Sequence, residues 1–304
     1  MTDEPIGTAS IGTAPTGTAP DLSVLATDTG HFTIAALDHR DALRTELANY
    51  GVDNDDAVRS FKRDMLEAFG KMGELPSAVM LEPEFSLPEL AATAPEGAGI
   101  TCALEAQGYF SDPDAGNTLM PGWTPARVRD VGAHAAKLLV LYRHDRGDFT
   151  RLQEELVAEV VAGAVEVGVP ALIEPVPVDV VDDADRRAVI LAAAERLNPI
   201  GPMLLKLPYP GPGACAELTE ACGDRPWILL SWGVPYEEFA EQLADATANG
   251  ASGFAVGRAL WREAVDPANR TEFNASTLGE RFVELATIAR TGRRWTEAIT
   301  GAGK

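Results

Sequence analysis

PWILLSWGVPYEEFAEQLADATANGASGFAVGRALW, residues 226–261, holds the pattern on which the fold turns. WILLS (227–231) is a short apolar run without polar alternation, as expected of a strand covered on both faces in a parallel sheet. Pro235 then opens an amphipathic segment, Tyr236–Asn249, which closes before Gly250, a start-and-stop pair for a helix. GFAV (253–256) follows as a second apolar run. Two covered strands joined by a helical crossover make a parallel unit.

Outward from this unit the same alternation runs back to about residue 30. The other apolar runs are FTIAAL (32–37), AVML (78–81), ITCAL (100–104), AKLLVL (136–141), ALI (171–173) and MLLKL (203–207). Helical patterns separate the later ones, as at Thr150–Gly168 and Asp185–Leu197. Eight strands alternating with helices over 29–304 fit one (β/α)8 TIM barrel, an α/β fold for which about 250 residues is typical. The rival is an open doubly wound sheet. Its nucleotide-binding versions lose ground, because no GxGxxG follows the first strand and no GxxxxGK[ST] occurs.

Residues 1–28 read as a disordered low-complexity tail, with Gly-Thr-Ala recurring at 7–9, 12–14 and 17–19. It carries neither a basic n-region nor a long apolar run, so neither a secretory signal nor a transit peptide is expected. No later stretch approaches the ~18 apolar residues of a membrane span. The 304 residues include 25 Lys+Arg against 46 Asp+Glu, a net charge of −21. Such a chain lacks the cations that neutralise nucleic-acid phosphates and is repelled by anionic lipid. The three cysteines, Cys102, Cys215 and Cys222, read as reduced thiols of a cytoplasmic protein. No HExxH or Cys/His cluster occurs, so neither a metal nor another cofactor is expected.

In a TIM barrel the active site gathers at the C-terminal ends of the strands. Those ends read Asp38-His39-Arg40, Glu82-Pro83-Glu84, Glu105, Tyr142-Arg143-His144, Glu174-Pro175, Lys206, Ser231 and Gly257-Arg258. Ordinary caps and surface ion pairs account equally well for Glu82 and Glu105. Lys137 and Lys206 are different, since each is embedded among leucines where a charged amine is costly to bury. The chain has only five lysines among its 25 basic residues, so a plain cation would more naturally be arginine. Lysine offers an amine that can lose its proton when desolvated or set beside another cation, and can then attack a ketone to form a Schiff base. If both lysines point into the barrel mouth, each ammonium depresses the other. Outward snorkelling or pairing with Glu174 is the structural alternative. Ser231-Trp232-Gly233 and Gly257-Arg258 follow the last two strands, where this fold commonly binds phosphate through backbone N–H groups and a bidentate Arg.

Six segments, ALDHRDALR (36–44), AAKLLVLYRHD (135–145), LIEP (172–175), LLKLPYP (204–210), PWILLSWGV (226–234) and GASGFAVGRALW (250–261), together resemble one class I aldolase family. It contains tagatose-1,6-bisphosphate aldolase and 6-deoxy-6-sulfofructose-1-phosphate aldolase. The resemblance implies a metal-independent lyase that cleaves a phosphorylated ketose, sulfonated or not, to dihydroxyacetone phosphate and an aldehyde. Lys206 would be the Schiff-base lysine, with Glu174, Lys137 and Asp38 as its catalytic companions. Substrate would be bound by His39, Arg40, Arg143, Ser231, Gly233, Gly257 and Arg258. A homo-oligomer, dimer or tetramer, is the family expectation.

The chain departs from the family at Pro208, where a Glu is usual, at His39 for Gln, and at Trp232 for a small residue. VPVDVVDDA (176–184) also lacks the basic residues of the sulfofructose branch. Alternatives are a 2-deoxy-5-keto-gluconate 6-phosphate aldolase, a non-catalytic sugar-phosphate-binding barrel, and a barrel isomerase or epimerase that uses the carboxylates alone.

Overall fold

The apolar runs become eight strands: β1 (Phe32–Ala36), β2 (Ala78–Leu81), β3 (Gly99–Ala103), β4 (Ala135–Tyr142), β5 (Ala171–Pro177), β6 (Leu204–Leu207), β7 (Trp227–Leu230) and β8 (Gly253–Val256). The computed structural model, which describes residues 20–73, 75–112 and 114–300, closes them into a barrel in chain order. Every pairing is parallel, including the closing one between β8 and β1. An open doubly wound sheet is excluded, because such a sheet leaves two unpaired edges.

Successive strand residues face opposite ways, and this sorts the apolar residues into two layers. Phe32, Ile34, Ala36, Ala78, Met80, Leu172, Leu204 and Ile228 fill the barrel interior. Their neighbours, among them Ala35, Val79, Ile173, Leu205 and Leu229, pack outward beneath the helices. The expected helices appear as Asp148–Val167, Asp183–Leu197 and Tyr236–Ala248. Asp148 lies in the first turn of one, and Asp183 and Asp185 in the first turn of another, which suits the positive end of a helix dipole. Among the described residues, no long helix follows β2 or β3. Their connections are a short turn at Ala91–Thr93 and a long loop ending in Pro125–Asp130.

The tail boundary drawn at residue 28 needs correction. Residues 1–19 lie outside the described part of the chain, but Leu22–Leu25 form a 3-10 turn capped by Asp21, whose side chain accepts from Ser23 N–H. Leu22 and Leu25 are fully buried against the interior layer. Gly99 at the start of β3 is required by this turn, since a Cβ there would sit 2.1 Å from the Val24 carbonyl oxygen. Two leucines three residues apart are too weak a pattern to separate from a polar tail by sequence. Among the described residues, no helix is long and apolar enough to cross a membrane.

Candidate active site

The alternation that fills the interior with apolar groups turns to chemistry one layer higher. After Ala135 on β4 the next inward position is Lys137; after Leu172 on β5 it is Glu174; after Leu204 on β6 it is Lys206. The same step beyond Ala36 of β1 and Ala103 of β3 brings in Asp38 and Glu105. These five side chains line one cavity of about 270 Å³ at the C-terminal mouth of the barrel. That volume suits a small ligand.

Lys137 Nζ lies 2.9 Å from Asp38 Oδ2, 2.8 Å from Glu105 Oε1 and 2.9 Å from Glu174 Oε2. The same Glu174 oxygen is 2.9 Å from Lys206 Nζ, whose other close neighbour is Met80 Sδ at 3.7 Å. The two lysines therefore share one carboxylate oxygen but differ in company. Burial alone would favour the neutral amine at Lys137. The charges of Asp38, Glu105 and Glu174 outweigh it and hold the Lys137 ammonium well above the usual lysine range. The expectation of mutual depression fails at this residue, because three carboxylates surround it rather than a bare second cation.

Burial likewise pushes the Asp38 carboxyl upward, yet Lys137, Lys206 and His39 pull it well below the usual carboxylate range. His39 is pushed down to about 3, by burial first and by the nearby cations Arg258, Lys206 and Lys62, against the pull of Asp38. It is a neutral imidazole at physiological pH. Its ring stands edge-on to Trp261, with centroids 5.1 Å apart. Gly257 leaves room for it, since a Cβ there would lie 2.6 Å from His39 Cε1.

The segments after β7 and β8 meet at the cavity, where Gly257 N–H donates to Ser231 Oγ at 3.4 Å. Gly233, Gly257 and Arg258 line the same wall. Arg258 is 30% exposed, its Nη1 is 3.5 Å from Glu46 Oε1, and its buried Nε has no partner. Trp232 adopts a left-handed backbone, φ 47°, and leaves 43% of its surface exposed at the rim. Arg40 is placed quite differently. Its side chain is 1% exposed, Nη2 donates to the Glu105 carbonyl at 2.8 Å, and the Gln107 carboxamide lies against it.

Arg143 does not join the cavity. It binds Asp145 at 2.7 Å and Asp185 at 2.6 Å, because β4 runs past the lip to Tyr142 and delivers the next residue to an acidic loop. Glu82 does not line the cavity either. It is buried with Lys62 of the Asp55–Gly70 helix and accepts from Glu84 N–H, Phe85 N–H and Ser86 Oγ. Lys62 is a third buried lysine, so burial alone does not mark a reactive one. Sequence reasoning left Glu105 undecided, although counting inward from Thr101 and Ala103 selects it. Gln107 and Tyr109 arrive on the long loop after β3, for which no periodic signal exists.

The cavity wall carries four carboxylates (Asp38, Asp41, Glu105, Glu174) and four cations (Arg40, Lys137, Lys206, Arg258). A chain of net charge −21 thus becomes locally neutral at the barrel mouth.

Known proteins resemble this chain in sequence and in fold. Residues 32–263 match the family described as DeoC/LacD family aldolase. Tagatose 1,6-diphosphate aldolase of Lactococcus lactis is 26% identical, over 91% of this chain and 97% of that protein. Tagatose 1,6-diphosphate aldolase 2 of Enterococcus faecalis is 27% identical, over 80% of this chain and 82% of its own length. Among solved structures, an archaeal fructose 1,6-bisphosphate aldolase superimposes with a TM-score of 0.64 at 18% identity, over 89% of this chain and 98% of that one. A structure of an archaeal fructose-1,6-bisphosphate aldolase with its catalytic Lys covalently bound to the carbinolamine intermediate of the substrate gives 0.63 at 17% identity, over 88% of this chain and 98% of that one.

Proposed function

Since the chain belongs to the DeoC/LacD family of aldolases and is a lyase, we propose that it cleaves a ketose phosphate through a Schiff base on Lys206. The products are dihydroxyacetone phosphate and an aldehyde. The observation that carries the reading is the pair of lysines sharing one Glu174 oxygen at 2.9 Å, with Lys137 enclosed by three carboxylates and Lys206 beside one.

Lys206 gives its proton to Glu174, and the free Nζ lone pair attacks the C2 carbonyl to form a carbinolamine. Glu174 returns that proton to the carbinolamine hydroxyl, which leaves as water, so that the iminium forms with Glu174 again a carboxylate. Glu174, directly or through that water, removes the C4 hydroxyl proton as the C3–C4 bond breaks. The bond's electron pair passes to the iminium, leaving an enamine and releasing the aldehyde. Protonation of the enamine at C3 and hydrolysis then free dihydroxyacetone phosphate and the Lys206 amine. Lys137 keeps its charge throughout, and with Asp38 it orients the sugar hydroxyls. Ser231, Gly233, Gly257 and Arg258 take the C1 phosphate, and Arg258 Nε has no protein partner to compete for it.

The test is reductive trapping. Incubation with dihydroxyacetone phosphate and borohydride should add one reduced adduct to the peptide that carries Lys206, in the presence of EDTA as in its absence. Lys206→Ala should abolish it. An adduct that survives this substitution, or an activity restored only by a divalent metal, refutes the mechanism.

A further inference from the structure

The proposed mechanism leaves open what the released aldehyde carries at its far end, and the two walls of the cavity differ sharply on this point. In a closed ring of eight strands β3 lies opposite β7, and β4 opposite β8. Arg258, a half-buried cation whose Nε has no partner, stands after β8. The opposite wall is built from Leu139 of β4, Val176 of β5, and Tyr109 and Phe110 of the loop after β3. Phe110 is 66% exposed. Burial pushes the Tyr109 phenol above its usual range, so it is a neutral hydroxyl.

No cation is open on that wall among the described residues. Arg40 is the nearest, but its side chain is 1% exposed, with Nη2 and Nε held by Glu105 and Gln107 and the partnerless Nη1 buried with them. Lys137 is enclosed by carboxylates, and Arg143 is bound outside the cavity by Asp145 and Asp185. The rim between β1 and the loop after β3 carries a carboxylate instead. Asp41 lines the cavity with its backbone nitrogen 3.3 Å from the Gln107 carboxamide. A second phosphate or a sulfonate placed there would be desolvated against aromatic and aliphatic groups and repelled by Asp41.

We infer that the substrate is a ketose with a single anionic group, the C1 phosphate, and that the aldehyde it releases is uncharged. This rests on the Schiff-base reading above. Tyr109, Phe110, Leu139 and Val176 form the subsite for the aldehyde, its carbon face against the apolar groups and a hydroxyl to the Tyr109 phenol.

The experiment runs the reaction in the condensing direction. The enzyme is charged with dihydroxyacetone phosphate and offered glyceraldehyde or glyceraldehyde 3-phosphate at equal concentration, and kcat/KM is measured for each acceptor. Glyceraldehyde should be the better acceptor by at least about tenfold. Ser111→Arg, on the exposed loop beside Phe110 and outside the catalytic cluster, should narrow that ratio by about tenfold through the phosphorylated acceptor. Equal or better use of glyceraldehyde 3-phosphate by the unmodified enzyme overturns the inference, as does an enzyme that forms the borohydride-trapped adduct yet couples neither aldehyde. Absence of the adduct itself refutes the Schiff-base reading, and the subsite assignment falls with it.

Discussion

Lys137→Met isolates the charge balance of the site. The substitution keeps the length of the side chain and deletes the cation that hydrogen-bonds Asp38 at 2.9 Å and Glu105 at 2.8 Å. Glu105 keeps Arg40 at 3.7 Å and Glu174 keeps Lys206 at 2.9 Å, so Asp38 loses most. Breaking a buried pair from one side costs about 3–5 kcal/mol. At about 2–4 °C per kcal/mol for a large domain, the melting temperature should fall by roughly 6–20 °C. The cost depends on pH in a definite direction. In the native protein the depressed Asp38 contributes stability above its unfolded value of about 3.9, lost only as pH falls through its lower folded value. The raised Lys137 contributes below its unfolded value of about 10.4 and loses this as pH rises through its higher folded one. In the variant, burial acts on Asp38 without that partner and raises it, so the penalty is absent below the unfolded value and grows as pH rises. Thermal melts at about pH 5.5 and 8, both above the isoelectric point of about 4.5, should show the larger deficit at the higher pH. Equal deficits at the two pH values, or a fall below about 2 °C, would refute the assigned charge balance.

Three further outcomes are expected. Arg258→Ala should raise KM for the ketose phosphate roughly 10- to 100-fold while the borohydride adduct still forms at high substrate, a loss in line with one hydrogen bond to a charged group. Trp232→Gly relieves a left-handed backbone that costs a bulky residue about 1–2 kcal/mol, and urea unfolding should show stability unchanged or slightly raised; a loss above about 1 kcal/mol would mean packing holds the indole. Lys62→Met should destabilise by about 3–5 kcal/mol, with much of the loss recovered in Lys62→Met/Glu82→Gln, whose neutral carboxamide oxygen still accepts from Glu84 and Phe85 N–H, as calorimetry would register.

The order of the elements was legible because a buried parallel strand must be apolar on both faces. Runs such as AVML and GFAV therefore coincide with β2 and β8. Strand ends were less legible: ALI extends to Pro177, since Glu174 and Pro175 read as the end of an apolar run although the pairing with β4 continues. Lys137 and Lys206 stood out because a lysine among leucines must have a reason to be there. Period-two counting places both inward.

What the sequence by itself determined was thus the succession of eight buried strands, the two lysines set among leucines and the polar residues at the strand ends, all set by local periodicity and the cost of burying charge. Only the tertiary structure decided which charges meet. Asp38, Glu105, Lys137, Glu174 and Lys206 come from five strands or their ends, and ring closure brings them together. It made Lys137 the fixed cation and turned Arg143 and Glu82 away. It also laid an aromatic loop opposite Arg258, because the partners of a charge are neighbours in space and not in the chain.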